Sequence, residues 1–141
     1  MKKECPKRLL LTHLGVPEGR IANDNVLLGY WCLADRPELA LRETNLNIVQ
    51  HPWRNNDRLS SDYLTIKRIY EKALLALSEQ LNARHGVNLS IKSWEIMLGV
   101  WLRVFINCVF ERHMLIRDSV ENHGVNTIIS VEQKYNRTPY D

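Results

Sequence analysis

The longest apolar stretch of the chain, residues 96–110, most constrains what the chain can fold into. It lies within a predicted helix over residues 91–122, with Ser90 as its N-cap and Gly124 beyond its end. The interruptions recur at every fourth position: Glu95, Gly99, Arg103, Asn107 and Glu111. Spacing by four keeps these residues on one slowly turning stripe and leaves apolar side chains elsewhere. Such a helix is typical of the centre of a structure and needs cover on most sides.

A membrane-spanning role for this stretch is not expected. A bilayer span takes about 20 mostly uncharged residues, whereas this run is shorter and contains Arg103 and Asn107. The N-terminal apolar run, residues 9–11, is too short for a signal peptide. Three widely spaced cysteines without a C-x-x-C pair indicate reduced thiols, and Cys108 is predicted to be a small core residue. Together these features predict a cytoplasmic protein without a transmembrane segment.

The remaining elements predict an α/β fold of short strands with two long helices. The other long helix is predicted over residues 59–85, with Ser60 or Ser61 as its cap and Gly86 at its end. Its apolar face repeats at three and four residues. Residues 7–13, 46–49 and 127–131 are predicted strands, residues 25–33 a strand or buried turn, and residues 36–42 a short helical turn. At 141 residues, the chain is expected to be a single domain.

Composition and charge exclude several classes of protein. The chain is 45% apolar and 25% charged, which argues against disorder. Its net charge of +3 comes from residues 1–20, and the rest is neutral, which argues against nucleic-acid binding. No H-E-x-x-H or paired C-x-x-C pattern occurs, so no metal site is predicted. A small independent hydrolase is the least favoured alternative, because no nucleophile–histidine signature is recognisable.

Two segments carry candidate binding residues. His13 lies at the end of the first predicted strand. Because ligands of open α/β sheets bind beyond the carboxyl ends of strands, His13 is a candidate binding residue. The alternative is an ordinary strand-to-loop turn. His51, Trp53 and Arg54 share one loop and offer hydrogen bonding, a stacking face and a cation, which suit a sugar or a phosphate. In the alternative, Trp53 fills the core and Arg54 caps a carbonyl. Arg103 is expected to have an ion-pair partner or a hydrogen bond to Asn107, because an unpaired buried cation is costly.

A set of spaced motifs links the chain to a known group of proteins. The motifs are L-G-Y-W-C (28–32), H-P-W (51–53), D-R-L (57–59), D-Y (62–63), Y-E-K-A-L-L (70–75), L-N-x-x-H-G-V (81–87) and S-x-K-S-W-E-I-M-L-G-V-W-L (90–102). Residues 28–112 thereby resemble the N-terminal region of transferases of bacterial surface-carbohydrate biosynthesis, which are glycosyltransferase-like. The chain departs from that pattern at residues 54–56, where the group has acidic residues, and at residues 92–95.

The resemblance implies part of a Rossmann-like N-terminal domain. Members of the group are several times longer, and the nucleotide-sugar donor is expected mainly in their C-terminal half. The chain is therefore expected to be an N-terminal fragment or split transferase, with no cofactor of its own and a carbohydrate or nucleotide-sugar substrate. His13, His51, Trp53 and Arg54 would line the substrate cleft. The alternative is a non-catalytic helical interaction module that self-associates or binds a partner chain, such as the missing C-terminal half.

Overall fold

The computed structural model describes residues 6–11, 23–34, 37–38 and 46–129. The chain divides into two compact units, one made of residues 1–50 with 116–141 and the other of residues 51–115. The first unit contains a small parallel sheet and the end of the second long helix, and the second unit contains the first long helix and most of the second. The α/β mixture predicted from the sequence is confirmed.

The first unit is built on three parallel strands: β1 (Lys7–Leu10), β2 (Asn25–Leu27) and β3 (Val125–Ile129). Their order is β2-β1-β3, so β1 is central, and Leu9 pairs with Val26 on one side and Ile128 on the other. The residues at the middle of this sheet are fully buried: Leu9, Leu10, Val26 and Leu27. At the start of the strands, the Arg8 guanidinium lies 2.8 Å from the Asp24 carboxylate.

The strand predictions are met in part. The strand predicted over residues 7–13 covers Lys7–Leu10, and His13 lies outside the described residues. The segment 25–33 combines both interpretations, since β2 is followed by a 3-10 turn at Tyr30–Leu33. Residues 46–49 contribute one bridge, from Ile48 to Leu27, rather than a strand. The last strand begins two residues earlier than predicted. In the predicted turn at 36–42, Pro37 and Glu38 are helical and the other residues lie outside the described part.

Helix α1 spans Asn56–His85 and begins three residues before its predicted start. Its cap is Asn55, whose side-chain oxygen accepts from the backbone N–H groups of Asp57 (2.9 Å) and Arg58 (3.1 Å). The predicted cap at Ser60 or Ser61 is therefore wrong, and Ser60 instead donates to a carbonyl inside the helix. At the other end, Gly86 adopts a φ of 64°, a left-handed conformation that favours glycine and closes the helix as predicted.

Helix α2 spans Ile91–His123 and matches its prediction to within one residue. Ser90 caps it, because the Ser93 N–H donates to the Ser90 hydroxyl at 3.2 Å. Between the helices, Asn82 accepts from the Trp94 indole N–H (3.0 Å) and the Leu89 backbone N–H (3.1 Å), and donates to the Leu89 carbonyl. One amide thus joins the end of α1, the connecting turn and the start of α2.

The two helices of the second unit share a compact apolar core. Its members are Ile66, Tyr70 and Leu74 from α1 and Trp94, Leu102 and Ile106 from α2. Trp53, in the segment before α1, packs against this cluster. The spacing by three and four predicted from the sequence therefore marks the contact face of α1 correctly.

The opposite side of α2 differs from the prediction. Apolar residues there are exposed: Ile96 (75%), Met97, Val100 (80%), Trp101 (59%), Val104, Phe105 and Val109. We call this set the open face. Cys108, predicted as a core residue, is exposed as well, so that prediction is wrong. An apolar run predicts that a helix needs cover, but contains no information about whether the same chain provides it.

Among the described residues, α2 is the one helix long and apolar enough to cross a membrane by length and composition alone. Its most apolar window has a mean hydropathy of 1.4, and 22% of that window is buried. Buried core helices of soluble proteins satisfy the same criteria. The absence of a transmembrane segment therefore stays a prediction.

Candidate functional site

A groove of about 520 Å³ opens between the helices of the second unit. This volume lies within the roughly 300–1,000 Å³ of small-molecule sites. Apolar side chains and Trp53 form part of its wall, with Leu59, Ile66, Leu74 and Ile91 among them. The polar lining comes from both helices: Lys67, Tyr70 and Glu71 of α1 and Lys92, Glu95, Arg103 and Asn107 of α2.

The fourth-residue stripe of α2 forms one wall of this groove. Glu95, Arg103 and Asn107 line it directly. At Gly99, a Cβ atom would lie 2.8 Å from the Tyr70 hydroxyl oxygen, so the absence of a side chain lets Tyr70 approach the helix. Glu111, the last member of the stripe, contacts the loop before α1 instead. The stripe was visible in the sequence, but its role as the wall of a groove was not.

Arg103 is the uncompensated cation of the groove. Its guanidinium carbon lies 5.0 Å from the centre of the Tyr70 ring, within the range of a cation–π contact. Within the described residues it forms neither the expected ion pair nor a hydrogen bond to Asn107. That expectation is wrong because the helix places Arg103 at the groove, where it remains exposed and avoids the cost of burial.

Lys92 and Glu95 form an ion pair at the edge of the groove, with 2.8 Å between Nζ and Oε2. The hydrogen bond from Lys92 holds the pKa of Glu95 below its ordinary value, and the Arg103 charge acts in the same direction. The same hydrogen bond raises the pKa of Lys92. Glu95 is therefore an ionised hydrogen-bond acceptor at neutral pH.

Tyr70 carries the buried hydroxyl of the site. The residue is 8% exposed, and its hydroxyl oxygen has no hydrogen-bond partner among the described residues. The hydroxyl lies close enough to Glu95 to favour its charged form, but not in hydrogen-bonding geometry. An unpaired buried hydroxyl is costly, so its position against the groove is a feature that a bound polar group would satisfy.

The loop before α1 is held by His51. The Trp53 backbone N–H donates to Nδ1 of His51 at 3.2 Å, and Nε2 lies 3.1 Å from Oε1 of Glu111. Because Nδ1 accepts, the neutral ring carries its proton on Nε2 and donates it to the carboxylate. Both ring nitrogens are thus engaged within the protein. In this geometry His51 fixes the loop, and its substrate-binding role stays a prediction.

Trp53 and Arg54 have different surroundings. The Trp53 indole lines the groove, and its N–H donates to Asp62 at 3.1 Å, which fixes the ring. The His51 ring meets it edge-on at 5.2 Å between centroids. Arg54 points into solvent, lies outside the groove lining and forms no ion pair with a described residue. Of the predicted binding residues that the structure describes, Trp53 is the one that lines the groove.

Sequence reasoning missed Tyr70, Glu95, Arg103 and Asn107 as members of one site. The signal for three of them was the periodic polar interruption of an apolar helix. Tyr70 had no such signal, because an aromatic residue on an apolar face is typical of a core. Among the described residues, no three histidine, cysteine or acidic side chains lie close enough together to hold a metal ion.

The fold and the groove define an α/β chain with a ligand-sized groove between two helices, whose mainly apolar lining carries several polar side chains. A family model of LIC12162 family transferases matches residues 9–141, and the chain therefore belongs to this transferase family. No curated protein and no solved structure matches the chain.

Proposed function

We propose that the chain is part of a transferase of bacterial surface-carbohydrate biosynthesis and supplies part of its sugar or acceptor cleft. The observation that carries this proposal is the groove, whose lining combines an indole fixed by Asp62 with several hydrogen-bonding side chains. Sugar rings present C–H faces that pack on aromatic rings and hydroxyls that pair with carboxylates and amides. Trp53 offers the ring, while Glu95 and Asn107 offer the polar partners.

The transferase is proposed to be partial or split in this chain. The order β2-β1-β3 supports part of a Rossmann-like domain, because a central first strand with neighbours on both sides is common to such sheets. The nucleotide-sugar donor would then bind mainly to a part of the enzyme beyond this chain. A cytoplasmic location fits such a donor and belongs to the same proposal.

Sugar binding at the groove is tested by NMR of the ¹⁵N-labelled chain. Addition of hexoses and hexose derivatives is expected to shift the Trp53 indole resonance in a saturable manner. Trp53→Leu should abolish binding, whereas Trp101→Leu, on the open face, should leave it unchanged. If no sugar shifts the Trp53 resonance of the folded protein, the groove is not a carbohydrate site.

The open face supports a second candidate function, a non-catalytic interaction module that self-associates. The face carries no charged side chain, and the Trp101 and Phe105 rings stack at 5.4 Å. An uncharged apolar surface is self-complementary, which favours a second copy of the chain over a charged partner. Large apolar patches are uncommon on monomers, and the length of this one along α2 suits a helix from another copy.

Sedimentation at micromolar concentration tests this candidate. We expect a dimer that Val100→Lys dissociates, while Leu75→Lys, at an exposed apolar residue of α1, leaves it intact. A monomer at every concentration that binds no lipid vesicle would contradict self-association. A monomer that binds vesicles through Val100 would assign the face to a membrane instead.

A further inference from the structure

We infer that the groove recognises a hexose carrying one anionic substituent, with Arg103 as the residue that selects the anion. This inference rests on the proposed sugar-binding function and adds the substrate class. A sugar phosphate and a uronic acid share this chemistry: each is a hydroxylated ring with a negative group at one end.

The first observation is the charge arrangement around the groove. Lys92 is neutralised by Glu95 at 2.8 Å, and Lys67 lies 4.0 Å from Glu71. Arg103 forms no ion pair with a described residue. The groove therefore presents one uncompensated positive charge, and a guanidinium is the side chain best shaped to bind a carboxylate or phosphate through two parallel hydrogen bonds.

The second observation is the orientation of that charge. The guanidinium carbon of Arg103 lies over the Tyr70 ring, 5.0 Å from its centre, and this contact uses none of the hydrogen-bond donors. A guanidinium restrained in this way keeps its donors available and has already lost part of its side-chain freedom before the ligand arrives. Arg103 is thus an exposed cation that the Tyr70 ring restrains at the groove.

The third observation is the buried hydroxyl of Tyr70. It lies against the groove, is more than nine-tenths buried and has no partner among the described residues. Gly99 permits this approach, because a methyl group there would crowd the hydroxyl. A sugar hydroxyl is a partner of suitable chemistry, since it both donates and accepts hydrogen bonds.

The remaining contacts supply the ring site. Trp53, fixed by Asp62, offers an apolar surface in the same groove. The ionised Glu95 accepts hydrogen bonds and repels a second negative charge at its end of the groove. The lining contains three cations and two anions, and the two lysines are paired with the two carboxylates, so a single net positive charge favours a ligand with one anionic end over a polyanion.

The test compares glucose, glucose 1-phosphate, glucuronate and inorganic phosphate by NMR titration of the labelled chain. Chemical-shift changes of the Trp53 indole N–H report on binding of the sugar ring, and those of the Arg103 Nε–H report on binding of the anionic group. We expect both anionic sugars to bind at least about tenfold more tightly than glucose, a typical effect of one charged hydrogen-bonded contact. Arg103→Met should remove this factor, so that the anionic sugars bind no more tightly than glucose, and Arg68→Met, on the exposed side of α1, should preserve it.

Further variants keep the test decisive. If Arg103→Met does not fold, Arg103→Lys replaces it in the test. Lysine retains the charge but cannot form two parallel hydrogen bonds, so this variant should reduce the preference for anionic sugars without abolishing it. Tyr70→Phe should weaken all three sugars equally without lowering the melting temperature, since it removes a hydroxyl that has no protein partner.

Each outcome separates this inference from the proposed function. Equal affinities for glucose and both anionic sugars would overturn the anion selectivity while sugar binding stands. A preference that persists in folded Arg103→Met would assign it to another residue and also overturn the inference. If inorganic phosphate shifts Arg103 but no sugar shifts Trp53, the proposed sugar cleft itself fails.

Discussion

The two sides of α2 carry residues of similar chemical types but have different surroundings. On the side toward α1, Trp94, Leu102 and Ile106 are buried, and the polar stripe borders a groove. On the open face, residues of the same chemical types, such as Trp101 and Val100, are mostly exposed. The comparison shows that the apolar residues predict the helix but not which of its sides is covered, whereas the polar interruptions coincide with the side that borders the groove.

The largest expected difference between the two sides is in stability. Trp94→Ala should lower the free energy of unfolding by about 3–5 kcal/mol, because it empties a buried site. Trp101→Ala should cost less than about 1 kcal/mol, because the side chain is 59% exposed. Urea titrations of both variants measure this contrast. A large loss for Trp101→Ala would mean that the open face is covered in solution.

Thiol reactivity gives a second contrast between a buried and an open position. Cys32 is buried and its thiol donates to the Leu10 carbonyl at 3.4 Å, whereas Cys108 is exposed beside the open face. Cys108 should be alkylated faster by on the order of 100-fold, since Cys32 reacts only through local opening. Peptide mapping by mass spectrometry measures both rates. Protection of Cys108 that disappears on dilution would indicate cover by a second copy.

A smaller effect is expected from one alanine substitution on each side of α2. Gly99→Ala should destabilise by about 1 kcal/mol, because crowding against Tyr70 and Glu95 outweighs the gain in helix propensity. The matched change on the open face is Val100→Ala, which should alter stability by less than about 0.5 kcal/mol. Thermal unfolding compares the two. A stabilised Gly99→Ala variant would show that Tyr70 does not approach the helix in solution.

The smallest effect concerns the ion pair at the groove. Glu95 has a lowered pKa, so the stabilisation from its charged form is present above the ordinary carboxylate pKa and is lost as the pH falls through the lowered value. Lys92→Met should raise the pKa of Glu95 toward its ordinary value, and Lys72→Met should not change it. Carbon-detected NMR titration of the Glu95 carboxylate measures both. An unchanged pKa in Lys92→Met would show that the pair is absent in solution.

Periodicity predicted the helices well and the strands less well. The pattern repeats over about eight turns in α1 and about nine in α2, so single exceptions are averaged out. The segment at residues 46–49 has too few residues for such averaging, and one hydrogen-bonded bridge at Ile48 is all that it forms. Helix ends depend on one side-chain oxygen, which explains why Asn55 and not Ser60 or Ser61 became the cap.

The site was predicted less completely than the fold. Trp53 was identified because it lies in a loop of unusual composition, which is visible locally. The contact between Arg103 and Tyr70 depends on how two helices pack, and their residue numbers give no indication of it. His13 lies outside the described residues, and its predicted role stays a prediction, as do those of His51 and Arg54.

The short connection secured by Asn82 has a consequence for the order of folding. The walls of the groove come from one helical hairpin and the loop before it, all within the compact unit of residues 51–115. The central strand β1 instead pairs with β3, which follows both helices in the chain. During synthesis on the ribosome, the groove can therefore form before the sheet of the other unit is complete.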